Sequence, residues 1–140
     1  MGCAPPLHHP ASIFFQMEVT VYGIGTDIIT ISRIEKSLSK PHFLTKVYGE
    51  REIAAFATGE KLKVNSLAAN FAAKEAFGKA LGTGVRGFEL YEVEILRDDL
   101  GKPYFALSGR AKEIVESKKL VCHISLSNVG DKAIAFVVME

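Results

Sequence analysis

Two carboxylates stand where a purely structural sequence would not put them. Asp27 follows the glycine-punctuated run YGIG and precedes Ile28 and Ile29, and Glu75 lies within FAAKEAFGKAL, beside Lys74 and four residues before Lys79. A carboxylate pair suits a hard cation, because Mg²⁺ takes oxygen ligands and commonly combines one or two carboxylates with substrate phosphates and water. Each residue also has a plainer reading. Asp27 can be a helix-start or Asx-turn aspartate. Glu75 and Lys79 can form an i,i+4 ion pair worth about 0.3–0.5 kcal/mol, and Lys74 can snorkel its amine to the surface.

The element that carries Glu75 makes the plain readings less comfortable. Residues 66–81 are rich in Ala, Leu, Lys and Phe and predict the strongest helix of the chain, stopped by Gly82-Thr83-Gly84. At the helical period Leu67, Phe71, Phe77, Gly78 and Leu81 share a face, with Lys74 in its middle. Ala68, Ala72 and Ala76 make a neighbouring face of small residues, with Glu75 on the border. A carboxylate facing alanines can be approached closely by another backbone or by a metal, and burying it unpartnered is costly.

Around that helix the pattern is mixed. Residues 19–24 are β-branched and aromatic and predict a strand ending at Gly23 and Gly25, just before Asp27. Ser32 and Glu35 fit a capping box for a helix reaching Ser39, with Ile31, Ile34 and Leu38 on its buried face and Arg33 and Lys36 on the other. Short helices are expected over 43–48 and 50–57. Strands follow over 91–97 and 103–107, then a helix over 110–118 and closing strands over 121–126 and 133–139. One strand, several helices and then mostly antiparallel strands make an α+β pattern.

Composition bounds the function. The chain has 140 residues, 48% of them hydrophobic, which suits one domain that needs no disulfide staples. A formal net charge of +1 argues against a general nucleic-acid binder. No apolar run is long enough to span a membrane. The two cysteines, Cys3 and Cys122, fall in unrelated segments, so a disulfide is not expected and a reducing, cytoplasmic setting is. Residues 1–16 have no periodicity and read as an irregular, disordered leader, with one domain over 17–140.

Other segments carry weaker signals of their own. Gly82-Thr83-Gly84 lacks the GK[ST] ending of a P-loop and can be a simple helix stop. His123 can be a strand histidine satisfied by backbone. Together, however, YGIGTDI (22–28) with the following SRIEKSL, FAAKEAFGKALGTGVRGF (71–88), GKPYF (101–105), HISLSN (123–128) and AIAFVV (133–138) resemble the holo-acyl-carrier-protein synthase family of 4′-phosphopantetheinyl transferases over most of residues 19–138.

That resemblance implies an α+β subunit, mostly antiparallel sheet with a long packed helix, assembling as a homotrimer with active sites at subunit interfaces. It implies Mg²⁺-dependent transfer of 4′-phosphopantetheine from coenzyme A to a serine of acyl carrier protein, supporting fatty acid biosynthesis. Asp27 and Glu75 would be the Mg²⁺ ligands, with Glu75 or a metal-bound water as base and Lys79 serving the leaving phosphate. Coenzyme A would meet Asp27, Lys74, Lys79, Gly82-Thr83-Gly84, Gly101-Lys102-Pro103 and His123, and the carrier protein would meet Arg33 and Lys36. Two positions depart from the family: Asn70 and Asn128 stand where an arginine and a histidine are frequent. Two rivals follow. A transferase serving polyketide or peptide-synthetase carriers would be about twice this length by the same resemblance, and a catalytically silent nucleotide-binding subunit would not need Asp27, Glu75 and Lys79.

Overall fold

Helix α4 (Val64–Leu81) is apolar nearly all round, and the rest of the chain is arranged to cover it. The computed structural model describes residues 20–59 and 61–140. Before α4 come strand β1 (Gly23–Thr30) and helices α1 (Ile31–Leu38), α2 (Phe43–Val47) and α3 (Glu50–Phe56). After it come a 3₁₀ turn at Leu90–Glu92, strands β2 (Val93–Arg97) and β3 (Pro103–Leu107), helix α5 (Gly109–Ser117), and strands β4 (Cys122–Val129) and β5 (Lys132–Met139). The antiparallel order β1-β5-β4 makes the main sheet, and β2-β3 is a separate antiparallel hairpin. The expected α+β class holds.

The period of two in β5 decides which side of the sheet meets α4. Ala133, Ala135, Val137 and Met139 are fully buried on the helix side, while Ile134 and Phe136 are exposed on the other. Residues directly opposite across an antiparallel pair share a face. Ile28, opposite Ile134, and Ile24, opposite Val138, therefore extend that outer apolar face, with 60% and 61% of their surface exposed.

On its inner side β1 approaches α4 more closely than side chains allow. A Cβ on Gly23 would collide with the Ala80 carbonyl oxygen, and one on Gly25 with that of Ala76. Gly on the strand and Ala on the helix thus set backbone against backbone. Asp27 is the next inward position along the same strand.

Two starts differ from expectation. β1 does not end before Asp27 but runs through it to Thr30, because β5 offers a partner at every position from Gly23 to Thr30. The Ser32–Glu35 capping box does not form either. Thr30 is the N-cap and makes no side-chain cap bond; instead the Asp131 carboxylate accepts from the Ser32 amide at 2.9 Å and hydroxyl at 2.6 Å. α3 is likewise capped from afar, the Glu94 carboxylate accepting from the Arg51 and Glu52 amides, and Gly49 leaves the room for it. Among the described residues no helix is long and apolar enough to cross a membrane. The leader expected over residues 1–16 lies outside the described residues.

Candidate active site

Glu75 and Lys79 sit one turn apart on α4, facing the strand that carries Asp27. Lys79 Nζ donates to Asp27 Oδ1 at 3.1 Å and to the Thr26 carbonyl at 2.9 Å. Two of its three ammonium hydrogens are thereby used, and the side chain remains 54% exposed. The simple Glu75–Lys79 helix pair does not form: Lys79 bridges to β1 instead, so α4 and β1 are tied where the two carboxylates meet. Burial, reinforced by the negative charge of Asp27, pushes the Glu75 carboxyl above its ordinary range, and Lys79 opposes that shift. Two acids near enough for the charge of one to act on the other, with an exposed cation beside them, form a site that gains from added positive charge.

Among the described residues no cluster of three His, Cys, Asp or Glu side chains could enclose a metal. An open pair of carboxylates does fit a hard divalent cation that takes its other ligands from phosphates and water. The loop after α4 folds back on the helix's last turns. Gly84 N–H donates to the Gly78 carbonyl at 3.0 Å and Gly82 N–H to the Lys79 carbonyl at 3.0 Å. Gly78 has no room for a side chain, because a Cβ there would meet the Gly84 backbone at 2.6 Å. Thr83 is exposed beside them.

Lys74, adjacent to Glu75 in sequence, belongs to another world. It is wholly buried, its Nζ donating to Glu52 Oε1 at 2.6 Å and to the carbonyls of Leu90 at 3.0 Å and Val93 at 2.6 Å. All three donors are committed, so the structure does not place Lys74 where coenzyme A phosphate could reach it, contrary to expectation. Asn70 is in the same network: its Nδ2 donates to Glu52 Oε2 and the Ile95 carbonyl, while its Oδ1 accepts from Arg97 Nη2. Burial alone pushes Lys74 down and Glu52 up, and each partner's charge opposes the other's shift.

A model of the 4′-phosphopantetheinyl transferase superfamily matches residues 23–137, the span that holds every element of the site. The chain belongs to the 4′-phosphopantetheinyl transferase superfamily. Within the superfamily it is 47% identical over 121 residues to the holo-[acyl-carrier-protein] synthase of Clostridium beijerinckii, covering 86% of this chain and 98% of that protein. Its fold matches the holo-[acyl-carrier-protein] synthase of Neisseria meningitidis with a TM-score of 0.78 at 38% identity, covering 86% and 99% of the two chains. It also matches that of Bacillus anthracis, solved in complex with CoA (3′,5′-ADP), with a TM-score of 0.71 at 35% identity over 85% and 96%.

The remaining residues expected of a phosphopantetheinyl transferase fall into separate groups. Lys102, Pro103 and His123 line one cavity of about 280 Å³. Gly101 and Pro103 line another of about 270 Å³, together with Arg97 and Asn128. His123 lies opposite Val138, which lies opposite Ile24, so its side chain belongs to the outer face of the sheet. Asp27, three residues beyond Ile24, belongs to the inner face. One subunit therefore does not bring His123 to the two carboxylates; its imidazole is 3.6 Å from Glu140 instead. Arg33 and Lys36 are exposed on α1 while Ile31 and Ile34 are buried, and Arg33 borders a groove of about 340 Å³ with Ile28, Phe43 and Phe71. Glu52 and Arg97 had no signal in the sequence: one reads as an ordinary first-turn acid, the other as the end of a strand.

Proposed function

We propose that this transferase moves 4′-phosphopantetheine from coenzyme A to a serine of apo-acyl carrier protein, producing holo-acyl carrier protein and adenosine 3′,5′-bisphosphate in the cytoplasm. The observation that carries the reading is the convergence of Asp27, Glu75 and Lys79 from two elements onto one open, charged spot. Relatives named for this activity, matched over nearly their whole length, support the choice of substrates.

Asp27 and Glu75 would hold Mg²⁺, which when bound supplies a Lewis acid that polarises phosphoryl oxygens. Glu75, or a water beside the two carboxylates, would accept the serine proton. The serine oxygen forms a bond to the phosphorus that carries pantetheine, and the bond from that phosphorus to the bridging oxygen of the pyrophosphate breaks. Lys79, with one ammonium hydrogen still free, donates to the departing phosphate as its charge grows. The Gly82-Thr83-Gly84 loop, which follows Lys79 directly and carries the exposed Thr83, would lie near the nucleotide.

Carrier docking falls to α1. An apolar groove with a cationic rim at Arg33 suits the amphipathic, acidic helix of an acyl carrier protein, with Lys36 farther along the same exposed face. Self-association as a trimer is supported by the exposed apolar outer face at Ile24, Ile28, Ile134 and Phe136. His123 on that same face would then reach a neighbouring subunit's coenzyme A. Incubating the protein with apo-carrier, coenzyme A and Mg²⁺ tests the reaction. Mass spectrometry should find one phosphopantetheine added per carrier serine, and an unmodified carrier at equimolar enzyme would refute the reading.

A further inference from the structure

Lys132 opens β5 with its ammonium held at the edge of the groove that Arg33 borders. Its Nζ donates to the Thr30 hydroxyl at 2.7 Å, and Thr30 lines that groove with Arg33, Ile28 and Phe43. Thr30 is the N-cap of α1, where a threonine hydroxyl ordinarily accepts from the helix's own first amides. Here it caps nothing. The Asp131 carboxylate has taken over the first turn of α1, which leaves the Thr30 hydroxyl to Lys132.

The backbone that carries Lys132 is fixed relative to Arg33. The β4–β5 turn is fastened to the start of α1 by three hydrogen bonds. The Asp131 carbonyl accepts from the Ile31 amide at 2.8 Å, and its carboxylate accepts from the Ser32 amide at 2.9 Å and hydroxyl at 2.6 Å. Lys132 follows Asp131 and Arg33 follows Ser32. One cross-strand step from Lys132 to Thr30 and one helical turn from Thr30 to Arg33 put the two backbones within roughly 10 Å, about two turns of a helix. Both side chains are exposed, and among the described residues neither has a carboxylate within ion-pair distance. Asp131, the nearest acid in the chain, has both carboxylate oxygens engaged by Ser32.

We propose that Lys132 is a carrier-selecting residue, a second cation that works with Arg33 from outside α1. The assignment rests on the transfer reading above and narrows the carrier by its chemistry. The segment that fits is a helix with two acids about two turns apart and an apolar side chain between them. That side chain enters the groove at Ile28, Ile34 and Phe43, and each acid meets one cation. A single cation holds such a helix at one point and lets it swivel. Two cations fix its direction, and with it the path of the reactive serine to Asp27 and Glu75. A carrier with only one of the acids loses the second contact, so Lys132 discriminates between carriers.

Calorimetry with apo-acyl carrier protein and steady-state transfer, with carrier and coenzyme A varied in turn, test the assignment. K132E should weaken carrier binding and raise its KM roughly three- to tenfold, with the KM for coenzyme A unchanged. K132R should keep most of the affinity. T30V, which releases Lys132 without removing it, should move the same quantities less. Neutralising the carrier's helix acids one at a time should find one whose loss matters to the wild type and no longer matters to K132E. Should K132E melt lower than the wild type, K132Q carries the same expectation at a smaller size. Unchanged carrier binding in K132E overturns the assignment. So does a change in oligomeric mass, which would make Lys132 a contact between subunits on the face it shares with Ile134 and Phe136. The two readings fail separately. Carrier binding weakened by K132E without any transfer sinks the transferase reading, and transfer with carrier dependence unchanged in K132E sinks Lys132.

Discussion

Lys74 and Glu75 are neighbours on one helix, yet they face opposite fates. Lys74 has no exposed surface and three acceptors for its three hydrogens; Glu75 is part-exposed, its carboxylate makes no hydrogen bond among the described residues, and it feels the charge of a second acid. The first arrangement is closed: every charge has its partner and nothing is left to bind. The second is open, since adding a carboxylate to a carboxylate raises the energy of the pair until a cation arrives. A charge on the apolar side of a helix is therefore not by itself a functional signal. Satisfaction separates scaffold from site, and one residue of sequence is enough to cross from one to the other.

The difference can be broken by mutation, most severely on the open side. Asp27→Ala removes one of only two carboxylates at the site, so transfer should fall by roughly a thousandfold or more. Chelation of Mg²⁺ should reproduce the loss, and restored Mg²⁺ should reverse it in the wild type only. Carrier modification followed by mass spectrometry reads both.

On the closed side the loss is of fold rather than chemistry. Glu52→Gln leaves the Lys74 charge buried without its partner and should cost about 3–5 kcal/mol in urea denaturation. Replacing both as Glu52→Gln with Lys74→Met should recover a large part of that, because the uncompensated charge is gone. A single variant as stable as the wild type would mean that the pair is not closed as described.

A smaller effect belongs to the surface beside the open site. Arg33→Glu should raise KM for the carrier several-fold, leave coenzyme A affinity unchanged and blunt the dependence on salt, as rim charges do. Steady-state kinetics with each substrate varied at two ionic strengths measure it, and unchanged carrier kinetics would move docking off α1. The smallest expected effect is structural: Asp131→Ala removes the distant cap of α1 and should be read as a modest drop in melting temperature.

Much of this was legible beforehand, and the exceptions share a cause. Helix α4, the β2–β3 hairpin and the two closing strands follow from local period and turn residues; Asp27 and Glu75 stood out because they sat badly in those patterns, while Lys79 gained its role only from the family resemblance. β1 was placed too early, since the glycines that look like punctuation are a close-approach surface for Ala76 and Ala80, and only the tertiary partner reveals that. The caps of α1 and α3 come from Asp131 and Glu94, carboxylates far along the chain, while the local capping box at Ser32 stays unused. Lys74 read as a phosphate ligand because its partner, Glu52, lies 22 residues away. Long-range partners decided each of these, and no local spacing encodes them.

The most direct test of the account compares Glu75→Gln with Lys74→Met in the same preparation, each scored for carrier modification and for melting temperature. Glu75→Gln should lose transfer and keep a wild-type melting temperature, while Lys74→Met should melt far lower. Near-normal transfer by Glu75→Gln at saturating Mg²⁺ would contradict the assignment of the open carboxylate pair as the seat of the reaction.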